Sequence, residues 1–166
     1  MSVKNNLIMS VLRLTKDGPI EKHLISKYAH TPIHLVDNLL ENLSDVGFIQ
    51  LAGNRIEASL DQRVKIALHV MKLGADPESV CTLLQWKEFE RISAIAFELN
   101  HFKVRKGLRF KSIGRRWEID VVGCKDPLII CADCKHHHRG WTQSAVIKAA
   151  AAQGERTEAL ARALPV

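Results

Sequence analysis

Two neighbouring stretches carry residue types that can do chemistry together: WEIDVVG supplies Asp120, and ICADCKHHH supplies Asp133 and Lys135. Both are built mainly from Val, Ile, Leu and Cys, where an unpaired ion costs several kcal/mol. Alternate residues of a strand share a face, so Asp133 and Lys135 are expected to point one way beside Cys131, with Ala132 and Cys134 turned to the other layer. A tight turn at Cys124–Pro127 would fold the strands together and bring Asp120, at the end of the earlier strand, beside Asp133. Two carboxylates at that range repel unless a cation separates them. A hard divalent ion, Mg²⁺ or Mn²⁺, suits such oxygen donors. A neighbouring lysine can orient an attacking water or offset charge that develops on a phosphate.

Each residue also has a plainer reading. Asp120 could pair with Arg115 or Arg116, and Lys135 could serve Asp133 as a structural ion pair. Trp117 and Trp141 read as core or rim aromatics before stacking platforms. The rival chemistry is zinc, since CADCKHHH contains C-x-x-C followed by His136, His137 and His138. A structural zinc site takes four ligands in a tetrahedron. A continuous strand would aim Cys131 and Cys134 to opposite faces, and Cys124 stands alone upstream.

The elements that must position these groups follow from pattern. The first third reads helix, helix, helix, hairpin. Leu7, Ile8, Val11 and Leu14 form one stripe over about Val3 to Leu14, ended by Asp17-Gly18-Pro19. IEKHLISKYAH is a short helix with Ile20, Leu24, Ile25 and Tyr28 inward. Thr31 is the expected N-cap, with Pro32 at the first helical position, before a third helix carrying Ile33, Leu35, Val36, Leu39, Leu40 and Leu43. GFIQLAGNRIEAS gives two short strands around a Gly-Asn turn. That order resembles a winged helix-turn-helix. Such domains lay the third helix in the major groove of DNA, yet this one exposes His34, Asp37, Asn38, Glu41 and Asn42 and no Lys or Arg. Arg55 in the wing is its candidate phosphate contact, and protein docking is an equal alternative.

Residues 59–85 read as connecting helix, with breaks at Gly74 and Asp76-Pro77. From Trp86 the order becomes α, β, β, β, α, opening with an amphipathic helix that carries Phe89, Ile92, Ile95, Ala96, Leu99 and Phe102. The expected division is residues 1–75 and 76–166.

The chain has 166 residues and a net charge of +6. The segment Asn100–Trp141 holds ten Lys or Arg and four Asp or Glu, against fourteen of each elsewhere. The whole basic excess therefore surrounds the acidic hairpin, as a polyanion-binding surface would. No apolar run approaches the roughly 20 residues of a bilayer span. The amino terminus lacks the pattern of a signal peptide, so a cytoplasmic protein with reduced Cys81, Cys124, Cys131 and Cys134 is expected.

Glu90 of FERISAIAFELNHFKV, then EID at Asp120, then DCK at Asp133 and Lys135, with the aspartates thirteen positions apart, resembles the PD-(D/E)xK nuclease superfamily. The likeness is nearest to archaeal Holliday-junction resolvases and related restriction-type endonucleases, and it covers Trp86 to Lys135. The proline before the family's Asp is absent, and Asp stands for Glu before the lysine. The resemblance implies an α+β, two-domain chain: a winged helix, then a restriction-endonuclease-like αβββα core. The family core continues with a fourth strand, so either a truncated chain or completion by a second subunit is expected. It implies a Mg²⁺- or Mn²⁺-dependent DNA endonuclease of repair or recombination, often a homodimer, in which Glu90, Asp120 and Asp133 hold the metal and Lys135 assists. Glu90 could be a surface charge beside Glu88 and Arg91, with Glu88 a second choice for the same role. Lys103, Arg105, Lys106, Arg109, Lys111, Arg115, Arg116, His137 and Arg139 would grip DNA with Arg55. The alternatives are a non-cleaving DNA-binding or regulatory protein with a nuclease-like core, and a zinc-stabilised DNA-binding module.

Overall fold

The structure, a computed structural model, describes residues 2–134 and 142–164. It is an α+β chain with two antiparallel sheets, one in each of two compact units, Met1–Glu88 and Phe89–Val166. The sequence places residues 76–88 with the second domain. Their packing assigns them to the first, and the division falls within a helix rather than in a linker.

The first unit opens with α1 (Val3–Leu14), whose Ser2 cap accepts the Asn5 N–H. Its buried stripe is Leu7, Ile8, Val11 and Leu12; Leu12 takes the place expected for Leu14. After a 3₁₀ turn (Thr15–Asp17), Ile20 and Glu21 are not helical but form β1 (Ile20–Glu21). Ile20 lies opposite Ile56, and pairing there gives both backbones ladder partners beside a wholly buried side chain. Next come α2 (Lys22–Ala29) and α3 (Ile33–Asp45). Thr31 does not cap α3: its hydroxyl donates back to the Ala29 carbonyl, and Pro32 is the capping residue. Leu24, Tyr28, Ile33 and Leu35, expected inward, are exposed; Ile25, Val36, Leu39, Leu40 and Leu43 fill the core.

Strands β2 (Gln50–Ala52) and β3 (Arg55–Glu57) meet at a turn where Gly53 takes φ 59°, and the sheet order is β1-β3-β2. A capping box joining Ser59 and Gln62 starts α4 (Leu60–Lys72), and Asp76 caps α5 (Pro77–Cys81). Burial pulls Cys81 upward in pKa, and the Asp76 charge adds to it.

One buried ion pair closes this unit. Arg63 and Glu88 are each 3% exposed and bonded through the guanidinium Nε. The same guanidinium donates to the Leu12 and Leu83 carbonyls and to Thr15 Oγ1 at 3.0 Å. Glu88 also accepts the Gln85 N–H at 2.6 Å. Burying two ions is costly unless every donor and acceptor is met, and here the donors reach three separate segments.

The second unit holds most of α6 (Trp86–Leu99), then β4 (Lys103–Ser112), β5 (Arg115–Lys125), β6 (Leu128–Ala132) and α7 (Gln143–Ala163). The sheet is a meander of order β4-β5-β6. The first turn is Ile113-Gly114, with φ 48° and 71° between the paired Ser112 and Arg115, the geometry two-residue hairpins favour. The second is Asp126-Pro127, between the paired Lys125 and Leu128. It comes two residues later than the expected start of the turn at Cys124, so β5 runs on past Asp120. On α6, Ala94 is fully buried whereas Leu99 is 75% exposed, against expectation. Phe97 and Phe102 pack over Gly123, where a Cβ would sit 3.0 Å from the Phe97 ring. Ile119, Val122 and Leu160 form a buried cluster in this unit. The helix α7 continues unbroken through Gly154.

Candidate functional site

Asp120 lies mid-strand, not at a strand end. Its neighbours in β5 set its partners: Val121 pairs with Ala132, so Asp133, one step beyond the end of β6, falls opposite Asp120. On the other side the register runs Lys106↔Val121 and Leu108↔Ile119. Gly107 therefore falls opposite Asp120 and offers no side chain there; its φ of 57° suits glycine.

The strand stops at Ala132 because Asp120 intervenes. Its Oδ2 accepts the Cys134 backbone N–H at 2.7 Å, which fixes the carboxylate and bends the chain out of the ladder. Alternation survives the bend. Asp133 Oδ1 accepts from Arg156 of α7 at 3.2 Å, while the Cys134 thiol lies 3.5 Å from Ser93 Oγ on α6. Glu90 is three residues before Ser93 and so on the same side of that helix. Burial pushes the Cys134 thiol up in pKa; the Ser93 hydroxyl opposes this, and the charges of Asp120, Glu90 and Asp133 add to the rise. One thiol thus feels all three carboxylates.

These residues approach without closing into a cage: among the described residues, no three His, Cys, Asp or Glu side chains are grouped tightly enough to hold a metal ion. A preformed three-ligand cage is not what Mg²⁺ requires. It keeps several waters and is usually held by one or two carboxylates plus substrate phosphates. The hard oxygen donors of Asp120 and Asp133, opposite each other, fit that demand, and Glu90 stands on the adjoining helix. Lys135, His136, His137, His138, Arg139 and Trp141 lie outside the described residues.

The alternative readings separate on the same geometry. Arg115 does not reach for Asp120; its guanidinium stacks 4.1 Å above the Trp117 ring. That covers Trp117, whose Nε1–H is buried and lacks an acceptor among the described residues. Glu88 is committed to Arg63. As for zinc, the two thiols of C-x-x-C turn to different helices, Cys134 to Ser93 of α6 and Cys131 to Thr157 of α7. Burial pushes Cys131 up in pKa, with a Thr157 contact on α7 opposing, so its thiol leans on the helix opposite to that of Cys134.

Two partners are not apparent from sequence. Ser93 and Arg156 are ordinary helix residues whose roles depend on which strand end meets which helix. Arg156 also donates to Gln153 Oε1 at 3.4 Å, and Gln153 in turn bonds the Cys131 carbonyl.

Along β4 and β5, Lys103, Arg105, Lys106, Arg109, Lys111, Arg115 and Arg116 are all exposed. One of them, Arg109, is bonded to Glu118 at 3.0 Å. Arg55 is exposed in the first unit, where α3 offers Asp37 bonded to Lys22 and no cation of its own.

No family model, curated protein or solved structure matches the chain. No helix among the described residues is long and apolar enough to cross a membrane.

Proposed function

We propose that the protein is a Mg²⁺- or Mn²⁺-dependent DNA endonuclease of the PD-(D/E)xK type. The observation that carries this reading is the opposition of Asp120 and Asp133 across β5 and β6, inside the basic part of the chain. The α-β-β-β-α order of the second unit supports a restriction-endonuclease-like core. The first three helices and the three-stranded sheet of the first unit support a winged helix-turn-helix.

In this reading Asp120 and Asp133 would hold the divalent ion, which would supply Lewis acidity toward a phosphoryl oxygen and toward water, and Glu90, on the α6 side with Cys134, would add to the negative charge of the site. Cys134 N–H keeps Asp120 aimed. Arg156 holds Asp133 and offsets part of the local negative charge. Lys135 orients the attacking water and steadies charge as the new P–O bond forms and the bond to the leaving sugar oxygen breaks. The cations of β4 and β5 grip phosphates, which fixes position without reading bases; selectivity for DNA shape, in repair or recombination, follows. The edge of β6, which carries exposed Leu128 and Ile129 and among the described residues pairs only with β5, would accept a second copy in a homodimer.

The test is cleavage of branched, single-stranded and duplex DNA with Mg²⁺ or Mn²⁺. Asp120→Asn and Asp133→Ala are expected to reduce the rate by about 10²-fold or more, since metal ligation and charge stabilisation supply factors of that size. Cutting that persists in Asp133→Ala would remove this site. Binding without cutting by the unaltered chain would favour the regulatory, non-cleaving alternative.

A further inference from the structure

The hairpin of β4 and β5 ends in a combination that neither packing nor solubility explains. Ile113 is 81% exposed and holds φ 48°. A β-branched residue in that region is a backbone outlier, and the position normally goes to Asn, Asp or Gly. The exposed side chain recovers no burial in return. Strain kept at an exposed tip is a mark of function.

Two pairs back from the turn, Lys111 stands directly opposite Arg116. Like charges facing across a ladder destabilise it. Glu118 lies two residues along β5 from Arg116 but its carboxylate is bonded to Arg109, so it does not neutralise the pair. These residues, with Phe110 and Trp117, line an open groove of about 570 Å³. Beyond the tip on the other side lie Glu155 and Glu158 of α7, Glu158 bonded to Arg162. Arg115 and Arg162 line that side too, so its charges balance, whereas Arg109, Lys111 and Arg116 outnumber Glu118 on the Lys111–Arg116 side and leave it net positive.

We infer that the tip is a DNA wedge: Ile113 inserts at a base step while Lys111 and Arg116 clamp the neighbouring phosphate. Apolar side chains used in this way part stacked bases and kink the duplex, and two cations facing each other across a ladder meet one phosphate from both sides. The inference rests on the DNA-binding reading and gives it a means of selecting shape, since a step at a branch or junction is already partly unstacked and costs least to open.

The experiment uses the full chain without Mg²⁺ or Mn²⁺, so that cleavage does not enter. The probe is a four-way junction with a fluorescent adenine analogue at the branch, whose emission rises on unstacking, beside a matched duplex. The unaltered chain should bind the junction and raise emission, more than on duplex. Ile113→Asn, which suits the left-handed backbone, should melt no lower than the unaltered chain, still bind, and lose the rise. Lys111→Ala with Arg116→Ala should lower the slope of log affinity against log salt by about two. A chain that binds no DNA would defeat the DNA reading and the wedge together. Binding without unstacking, full emission from Ile113→Asn, or an unchanged salt slope would defeat the wedge and leave the DNA reading standing.

Discussion

Glu88 and Glu90 are two residues apart and opposite in fate. Glu88 sits beneath the surface against Arg63, whereas Glu90 lies one helical turn before Ser93 and its charge is felt at the Cys134 thiol. Replacing Glu88 by Ala would leave the Arg63 guanidinium buried without its counter-charge. The expected loss is about 3–5 kcal/mol in urea unfolding. The double replacement Arg63→Met with Glu88→Leu should recover most of that loss, because apolar side chains of similar volume can replace a buried pair without penalty. A double variant as unstable as Glu88→Ala would mean that the remaining polar bonds, to Leu12, Leu83 and Thr15, matter more than the charges. Sequence cannot tell these two glutamates apart: helical spacing separates their faces, but which face meets an arginine 25 residues earlier depends on the packing of α4. Asp120 and Asp133 stand out in the sequence for a different reason: carboxylates inside runs of Val, Ile and Cys demand a partner, and that demand is written locally. Glu90, on an ordinary amphipathic helix, stands out only through the family resemblance.

At the scale of elements, the turn at Ile113-Gly114 and the three-strand meander follow from alternation and a glycine. What alternation does not record is where a strand ends. β6 stops at Ala132 because a side chain, Asp120 Oδ2, takes the next N–H, and β1 exists because Ile56 offers a partner 36 residues away. The same limit explains α6: the periodicity of WKEFERISAIAFEL allows either Leu99 or Phe97 to face the sheet. Gly123 decides, since its missing side chain admits the Phe97 and Phe102 rings. Gly123→Ala should therefore cost about 1–3 kcal/mol, the usual penalty for overpacking. The nearest atoms belong to the Phe97 ring at its root and cannot swing away as a chain tip would. Thermal unfolding should report the loss, and shortening Phe97 to Leu in the same chain should restore part of it. No gain from that second change would mean that the Phe97 ring does not set the limit.

For the whole molecule, charge and stability divide differently along the chain. The basic excess lies within residues 100–141, while nearly all of the largest fully buried side chains, Ile8, Leu12, Ile25, Leu40, Ile56, Ile66 and Leu84 among them, lie in the first unit. Composition locates the charge, but it cannot locate the boundary, because no Gly- or Ser-rich linker marks it and α6 runs through it. The consequence can be measured on fragments. A chain ending at Ile92 keeps Glu88, the Leu83 carbonyl that Arg63 uses, and the buried Val80 and Leu84, so it should melt cooperatively by itself. A chain ending at Ala75, the boundary suggested by sequence, loses all four and strands the Arg63 charge in an apolar setting. It should be less stable by at least about 3 kcal/mol or unfolded altogether. Equal melting of the two fragments would show that α5 and the start of α6 contribute nothing to the first unit, and Arg63 would then have to reach water by another route.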